Sequence, residues 1–160
     1  MTGAIPPPLL ARLEHQLDAL DLILALSSPG ALEARPAPGE WSARENLAHL
    51  ARHQAVFLDR LRRLLEEPCP DLGRYRAEED PEWPEWGRLS AEAAVARLRA
   101  LRAELVARLR ALTPGEARRT GRHPTFGELD VRGWLEFLLV HEAHHLYVAL
   151  LRVGQARLRA

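Results

Sequence analysis

The chain has 160 residues, 47% of them hydrophobic and 28% charged, and its 22 basic side chains balance 22 acidic ones. This is the make-up of a soluble globular protein long enough for a proper core, and a formal charge of zero leaves no basic field for nucleic acid. No apolar run reaches the ~18 residues that span a bilayer, and the single cysteine, Cys69, cannot form an internal disulfide, so one domain over residues 1–160 in a reducing cytoplasm is expected.

The basic residues are all arginine, which fits a GC-rich genome, and the single Cys, single Met and scarce Asn and Gln fit a thermophile. From Leu9 to about Ser27, Leu10, Leu13, Leu17, Leu20 and Leu24 recur at helical spacing. Pro7 and Pro8 suit the first turn, and Pro29-Gly30 stops the helix. His15 lies off the leucine stripe and reads as a surface histidine. Residues 29–41 form a Pro-rich connector. A second helix opens at Ser42, where Ser42-Ala43-Arg44-Glu45 is a capping box, and Leu47, Leu50, Phe57, Leu61 and Leu64 carry its core face to about Glu66.

Residues 67–89 show no helical period and contain Pro68, Pro70, Gly73, Pro81 and Pro84. A loop of that length in a compact domain is often a lid or a crossover; Trp83 and Trp86 either pin it to the bundle or wall a pocket. Ser90 caps a third helix, with Val95, Leu98, Leu101, Leu105, Leu109 and Leu112 on its core stripe. Residues 113–129 form a further connector. Asp130 can cap a fourth helix that runs to about Val153, with Gly154 as its stop signal. No run of alternating β-branched residues occurs, so no sheet is expected. The pattern predicts an all-α four-helix bundle with a long crossover loop between the second and third helices.

The fourth helix carries the chemistry. Val131, Trp134, Leu138, His141, His145 and Val148 form one stripe with steps of three and four. Two imidazoles therefore stand where core residues belong, and unpaired they are costly to bury. A metal ion shared by side chains four apart removes that cost. A third ligand should come from a facing helix; the second offers His49 and His53, and spacing leaves both open. Three imidazoles plus a water make an open, catalytic kind of site. The blander alternative is a set of core histidines satisfied by carbonyls or carboxylates. His141-Glu142-Ala143-His144-His145 also satisfies the helical zinc-protease signature. That reading needs a third ligand, usually downstream, and the 15 residues after His145 contain no His, Asp or Glu.

Trp41-Ser42, Glu45 and His49-Leu50 at the opening of the second helix, followed ~90 residues later by His141 and His145 with His144 between, resemble the DinB-like (YfiT-like) metalloproteins. The resemblance covers most of the chain. It implies a metal held by His49, His141 and His145, with His144 not ligating and His53 beside the site. Where many relatives follow the late histidines with Arg-Gly-Gln, this chain has Leu146-Tyr147-Val148.

Three imidazoles suit zinc or nickel, and iron as well. Such an ion lowers the pKa of bound water or holds a thiolate. The resemblance implies a low-molecular-weight thiol as co-substrate, as in S-transferases that act with bacillithiol or mycothiol and in a thiol-dependent isomerase. It also implies a small-molecule electrophile taken under the 67–89 loop, and a homodimer. Where a base is needed, His53 and Glu142 are the candidates, although Glu142 equally reads as a surface charge. The alternatives are a metal-activated-water hydrolase and a non-catalytic, stress-linked metal-binding protein. Neutral charge and the lack of a recognition-helix signature leave no role on nucleic acid.

Overall fold

A computed structural model describes residues 3–159. The first leucine-rich segment forms two helices, α1 (Pro7–His15) and α2 (Ala19–Leu26), joined by a 3-10 turn at Gln16–Asp18. Gln16 explains the join. Its Nε2 donates to Leu139 O at 3.0 Å and to Glu142 Oε1 at 2.9 Å, so the tightened turn delivers a polar side chain inward. The Pro-rich connector is not wholly irregular: α3 (Pro29–Glu33) forms behind a Ser28 cap that accepts from Ala31 N at 3.2 Å. Next come α4 (Ala43–Glu66), α5 (Trp83–Trp86), α6 (Ala91–Ala111) and α7 (Pro114–Ala117), then β1 (Thr120–His123), β2 (Gly127–Asp130) and α8 (Val131–Arg159). Both halves of the expected capping box close α4: Glu45 N donates to Ser42 Oγ, and Ser42 N donates to Glu45 Oε2.

Two expectations are corrected. A sheet exists, as β1 and β2 pair antiparallel with Thr120 opposite Asp130 and His123 opposite Gly127. Local geometry builds this hairpin where strand propensity is lacking. Gly127 takes φ +72°, open to glycine at little cost. A Cβ on Gly121 would stand 2.8 Å from Leu64 Cδ2, so only glycine lets β1 lie this close to α4. The second correction is the end of α8, which passes through Gly154. A helical glycine costs only ~1 kcal/mol relative to alanine, and buried Val153 and the Arg152–Glu40 ion pair hold this part of the helix in place.

The bundle consists of the α1–α2 arm, α4, α6 and α8, and α4 packs against both α6 and α8. Apolar side chains form two clusters. Leu13, Phe57, Leu61, Leu105, Trp134 and Leu138 belong to one, and Leu17, Leu20, Leu47, Leu50, Leu98 and Leu146 to the other. In sequence, each long element changes cluster at one polar residue: Gln16, Gln54, Arg102 and Glu142. Arg102 donates to Gln54 Oε1 at 3.0 and 2.9 Å and to Leu13 O at 2.7 Å, and it ion-pairs with Glu142. This belt fixes how the helices register, because a slip of any one would bury its polar group without a partner.

The 67–89 segment is the crossover from α4 to α6. Arg122 of β1 donates to Pro70 O at 2.8 Å and accepts from Leu72 N at 2.9 Å, tying the crossover to the hairpin. Trp83 packs on Trp41 with ring centroids 5.2 Å apart, and the Trp86 ring lies under Arg52 and Arg97. Both tryptophans therefore pin the segment to the bundle. Among the described residues no helix is long and apolar enough to cross a membrane.

Candidate metal centre

On α4, Asn46, His49, His53, Phe57 and Arg60 follow each other in steps of three and four and so share one face. On α8, His141 and His145 share another. The packing of α4 on α8 brings these faces together. His49, His141 and His145 each offer a ring nitrogen, and the three atoms lie within 4.8 Å of one another.

Every imidazole in the cluster is held neutral. Burial, aided by His145 and His141, pushes His49 down to about 2. Burial and the neighbouring His145, His144 and Arg60 push His141 down to about 3, while burial and His144 push His145 down to about 4. Neutral rings keep a lone pair for a metal.

The lone pair of His145 is aimed by a residue that the sequence reading passed over. Asn46 Nδ2 donates to Ser42 O at 2.8 Å, which turns Asn46 Oδ1 toward His145 Nδ1, also at 2.8 Å. A carbonyl oxygen only accepts, so Nδ1 carries the proton and Nε2 is bare. His49 Nε2 and His141 Nε2 face each other at 3.3 Å. Two nitrogens bound tetrahedrally to one ion at ~2.0–2.1 Å stand roughly 3.3–3.4 Å apart. The Nδ1 atoms of both rings are sealed from solvent without a partner. The donor set therefore fits a divalent ion and is one that could hold it.

The other expected residues fall around this cluster. The His53 ring centroid lies 3.9 Å from that of His141, and burial next to His141 holds His53 well below the usual histidine range. It stands beside the three-nitrogen group, outside it. His144 is exposed. His15 is exposed as well, 3.2 Å from Asp18. Glu142 is 2% exposed and paired with Arg102 and Gln16 on the side of α8 facing the polar belt. It is neither a surface charge nor a wall of the histidine cleft.

That cleft has a volume of about 480 Å³ and is lined by Trp41, Tyr75, His123, Phe126 and Phe137 as well as His49, His53, His141 and His145. Tyr75 comes from the crossover and stacks 5.6 Å from His49, with its hydroxyl donating to Asp80 Oδ2 at 2.9 Å. His123 and Phe126 come from the hairpin. Neither Tyr75 nor the hairpin pair carried a period or motif in the sequence. Asn46 did have one signal: it precedes His49 by three on the same helical face. What results is a group of three histidines that could hold a metal ion, in the lining of a cleft rich in ring side chains.

A family model described as the DinB superfamily matches residues 12–149. YuaE of Bacillus subtilis (strain 168) is 29% identical over 127 residues, covering 72% of this chain and 78% of YuaE. Two solved four-helix bundles are similar in fold. YfiT from Bacillus subtilis, a probable metal-dependent hydrolase with an unusual four-helix bundle topology, aligns with a TM-score of 0.75 at 21% identity, over 95% of this chain and 85% of YfiT. The four-helix bundle protein TT2238 aligns with a TM-score of 0.59 at 30% identity, over 88% of this chain and 94% of TT2238.

Proposed function

The chain belongs to the DinB superfamily, and from that premise we propose that it is a metal-dependent transferase that moves a low-molecular-weight thiol, of the bacillithiol type, onto a small electrophile. The single observation that carries the reading is the trio of neutral ring nitrogens within 4.8 Å of one another at the base of a cleft. His49, His141 and His145 would hold a divalent ion, zinc or nickel. When bound, that ion supplies a Lewis acid that brings the pKa of a coordinated thiol toward neutrality.

The chain's own residues do the rest. Asn46 keeps His145 in the ligating tautomer. His53, on the cleft wall, is held neutral by burial and keeps no added proton, so the thiol proton leaves to solvent as the thiol binds. Trp41, Tyr75 and Phe137 keep water from the sulfur while its bond to the electrophilic carbon forms and the leaving group departs. Glu142 takes no part, since its carboxylate is committed to Arg102. The reading includes a single-domain protein that works in a reducing cytoplasm as a homodimer.

A second reading, a metal-dependent hydrolase, is favoured by one observation: the fold is shared with YfiT, which is described as a probable metal-dependent hydrolase. The test is metal content by elemental mass spectrometry on the untagged protein and on His49→Ala, His53→Ala and His145→Ala, followed by turnover assays. The proposal expects near-stoichiometric metal, lost with His49 and His145 and kept with His53, and thiol consumption with chlorodinitrobenzene. Ester turnover without thiol would select the hydrolase. Absence of metal in every preparation, even after reconstitution, would overturn both.

A further inference from the structure

The far end of the cleft is closed by the hairpin, and there His123, 6% exposed, forms part of the wall. Its Nδ1 accepts the backbone N–H of Thr125 at 3.1 Å and of Phe126 at 3.3 Å, which closes the turn. A nitrogen that accepts two N–H groups holds no proton of its own, so in the neutral ring the proton sits on Nε2. Burial, with Arg60 and Arg74 nearby, keeps the ring neutral by holding its pKa below the usual histidine value. No acceptor among the described residues faces Nε2, yet Nε2 is not among the sealed polar atoms. It is a fixed donor with access to solvent, on a residue that lines the cleft.

Arg60, whose charge His53, His123 and His141 all sense, is also 6% exposed. Its Nη2 donates to Gly73 O at 2.5 Å, its guanidinium lies 5.3 Å over the Trp134 ring, and its Nη1 is sealed without a partner. It makes no ion pair among the described residues. Burial and Arg63 push its pKa down to about 10, which leaves it cationic at neutral pH. At the rim the lining includes Arg74, Arg76 and Glu78, and Arg76 is paired with Glu79 at 2.7 Å. The hairpin end therefore combines one fixed donor with the charge of buried Arg60, which stands outside the cleft lining, and of exposed Arg74, with Glu78 as the opposing carboxylate at the rim.

We propose that this end of the cleft is a carboxylate subsite. The substrate carries a single carboxylate that accepts from His123 Nε2–H in the field of Arg60 and Arg74, and an aromatic or apolar body lies against Phe126 and Phe137. One donor and one buried cation suit a planar monoanion better than a phosphate, which presents more charge and more acceptors. The proposal deepens the functional reading, from which it takes only that the substrate enters this cleft.

The test is binding of benzoate against benzyl alcohol, the same ring with and without the charge, to the zinc-loaded full chain. The His123 side-chain resonances are followed by NMR. Benzoate is expected to bind about tenfold more tightly and to shift the Nε2–H proton downfield, whereas benzyl alcohol leaves it in place. His123→Asn keeps an oxygen for the turn N–H groups but loses the far donor, and it should abolish the preference with metal content intact. His123→Gln, which reaches further, should recover part of it. In His49→Ala the preference should persist with the metal gone. Equal affinities in the wild type, or a preference that survives His123→Asn, would overturn the proposal. So would a preference that vanishes in His49→Ala, since the carboxylate then sits on the metal. Zinc content and thiol transfer on the same samples report separately on the functional reading.

Discussion

Asn46 Oδ1 accepts the Nδ1–H of His145 across 2.8 Å, joining α4 to α8 at the edge of the histidine cluster. The bond works only because Asn46 Nδ2 is itself held by Ser42 O, the N-cap residue of α4. A cap that starts the helix thus also fixes which way an amide points, and the amide fixes which nitrogen of His145 is bare. Partners of this kind orient metal ligands and raise their basicity, and their loss typically weakens metal binding roughly 10–100-fold. Asn46→Ala should show a loss of that size in a competition titration against a chromophoric chelator, with one metal per chain still reached at saturation. Asn46→Asp, which keeps the acceptor, should retain more of the affinity. An unchanged affinity in Asn46→Ala would mean that His145 does not ligate through Nε2.

The Arg102–Glu142 pair makes a separate prediction. Both side chains are buried, at 5% and 2% exposure, and Gln54, Gln16 and Leu13 O complete their hydrogen bonds. Removing one partner leaves the other charge buried and unpaired, at ~3–5 kcal/mol. Glu142→Gln should therefore lose about that much stability in urea denaturation while binding metal as before. Replacing both residues by methionine should restore much of the loss. If Glu142→Gln instead lost turnover at undiminished stability, the carboxylate would be a base after all, and the cleft geometry would have to change to admit it.

The helices and the histidine stripe were legible in the sequence because both rest on periodicity. Leucines three and four apart marked α4 and α6, and His141 and His145 fell on the stripe that Trp134 and Leu138 had already defined. The choice between His49 and His53 was not legible from spacing, since both lie on one face of α4; the fold groups the ring nitrogens of His49, His141 and His145 within 4.8 Å of one another and leaves His53 beside them. Glu142 could not be placed either. One position round from His141 it faces α6, and its partner Arg102 is 40 residues away in sequence. The hairpin was missed because a side-chain acceptor and two glycines hold it, and β-branched residues do not. Tyr75 was missed because a crossover has no period. The histidines that cluster between α4 and α8 were thus readable, and the parts that shape the cleft around them were not.

Acid should unfold the metal-free protein early. The four clustered imidazoles are held below the free value of 6.5, His145 to about 4, His141 to about 3 and His49 to about 2, with His53 also well below, chiefly by burial. Below pH ~6.5 the unfolded chain takes up protons on these rings and the folded chain does not, so stability falls as pH falls, by up to ~1.4 kcal/mol per pH unit for each ring. Metal-free protein should lose stability steeply between pH 6.5 and about 4, as followed by thermal melts across that range. Zinc should raise the curve across this range and leave its slope nearly unchanged, because it binds only the folded cluster, whose rings already carry no added protons. A flat profile in the metal-free protein would mean that the rings are already protonated when folded.

The crossover should fail in a different pH range. Asp80, its side chain 6% exposed, accepts from Arg52 Nε at 2.6 Å and Nη2 at 3.1 Å, from Tyr75 Oη at 2.9 Å and from Glu82 N at 3.0 Å. Burial alone would raise its pKa, but the Arg52 bond, the Glu82 N–H and the Tyr75 hydroxyl outweigh it and hold the carboxyl below its usual value. A depressed carboxylate contributes its full stability above the unfolded value, ~4, and loses it as pH falls through the lower folded one. The strap that carries Tyr75 over His49 is therefore intact above pH ~4, where the uptake of protons by the unfolded chain's histidines sets the slope. Asp80→Asn removes the charge-assisted bonds, worth about 1.5–3 kcal/mol. Amide hydrogen exchange over residues 74–80 should then accelerate about tenfold or more at pH 7, while the histidine-driven loss of stability above pH 4 stays in place. If exchange there matches the wild type, Asp80 is not what keeps the cleft wall closed, and the Trp41–Trp83 contact, the Trp86 ring under Arg52 and Arg97 and the hydrogen bonds to Arg122 hold the crossover without it.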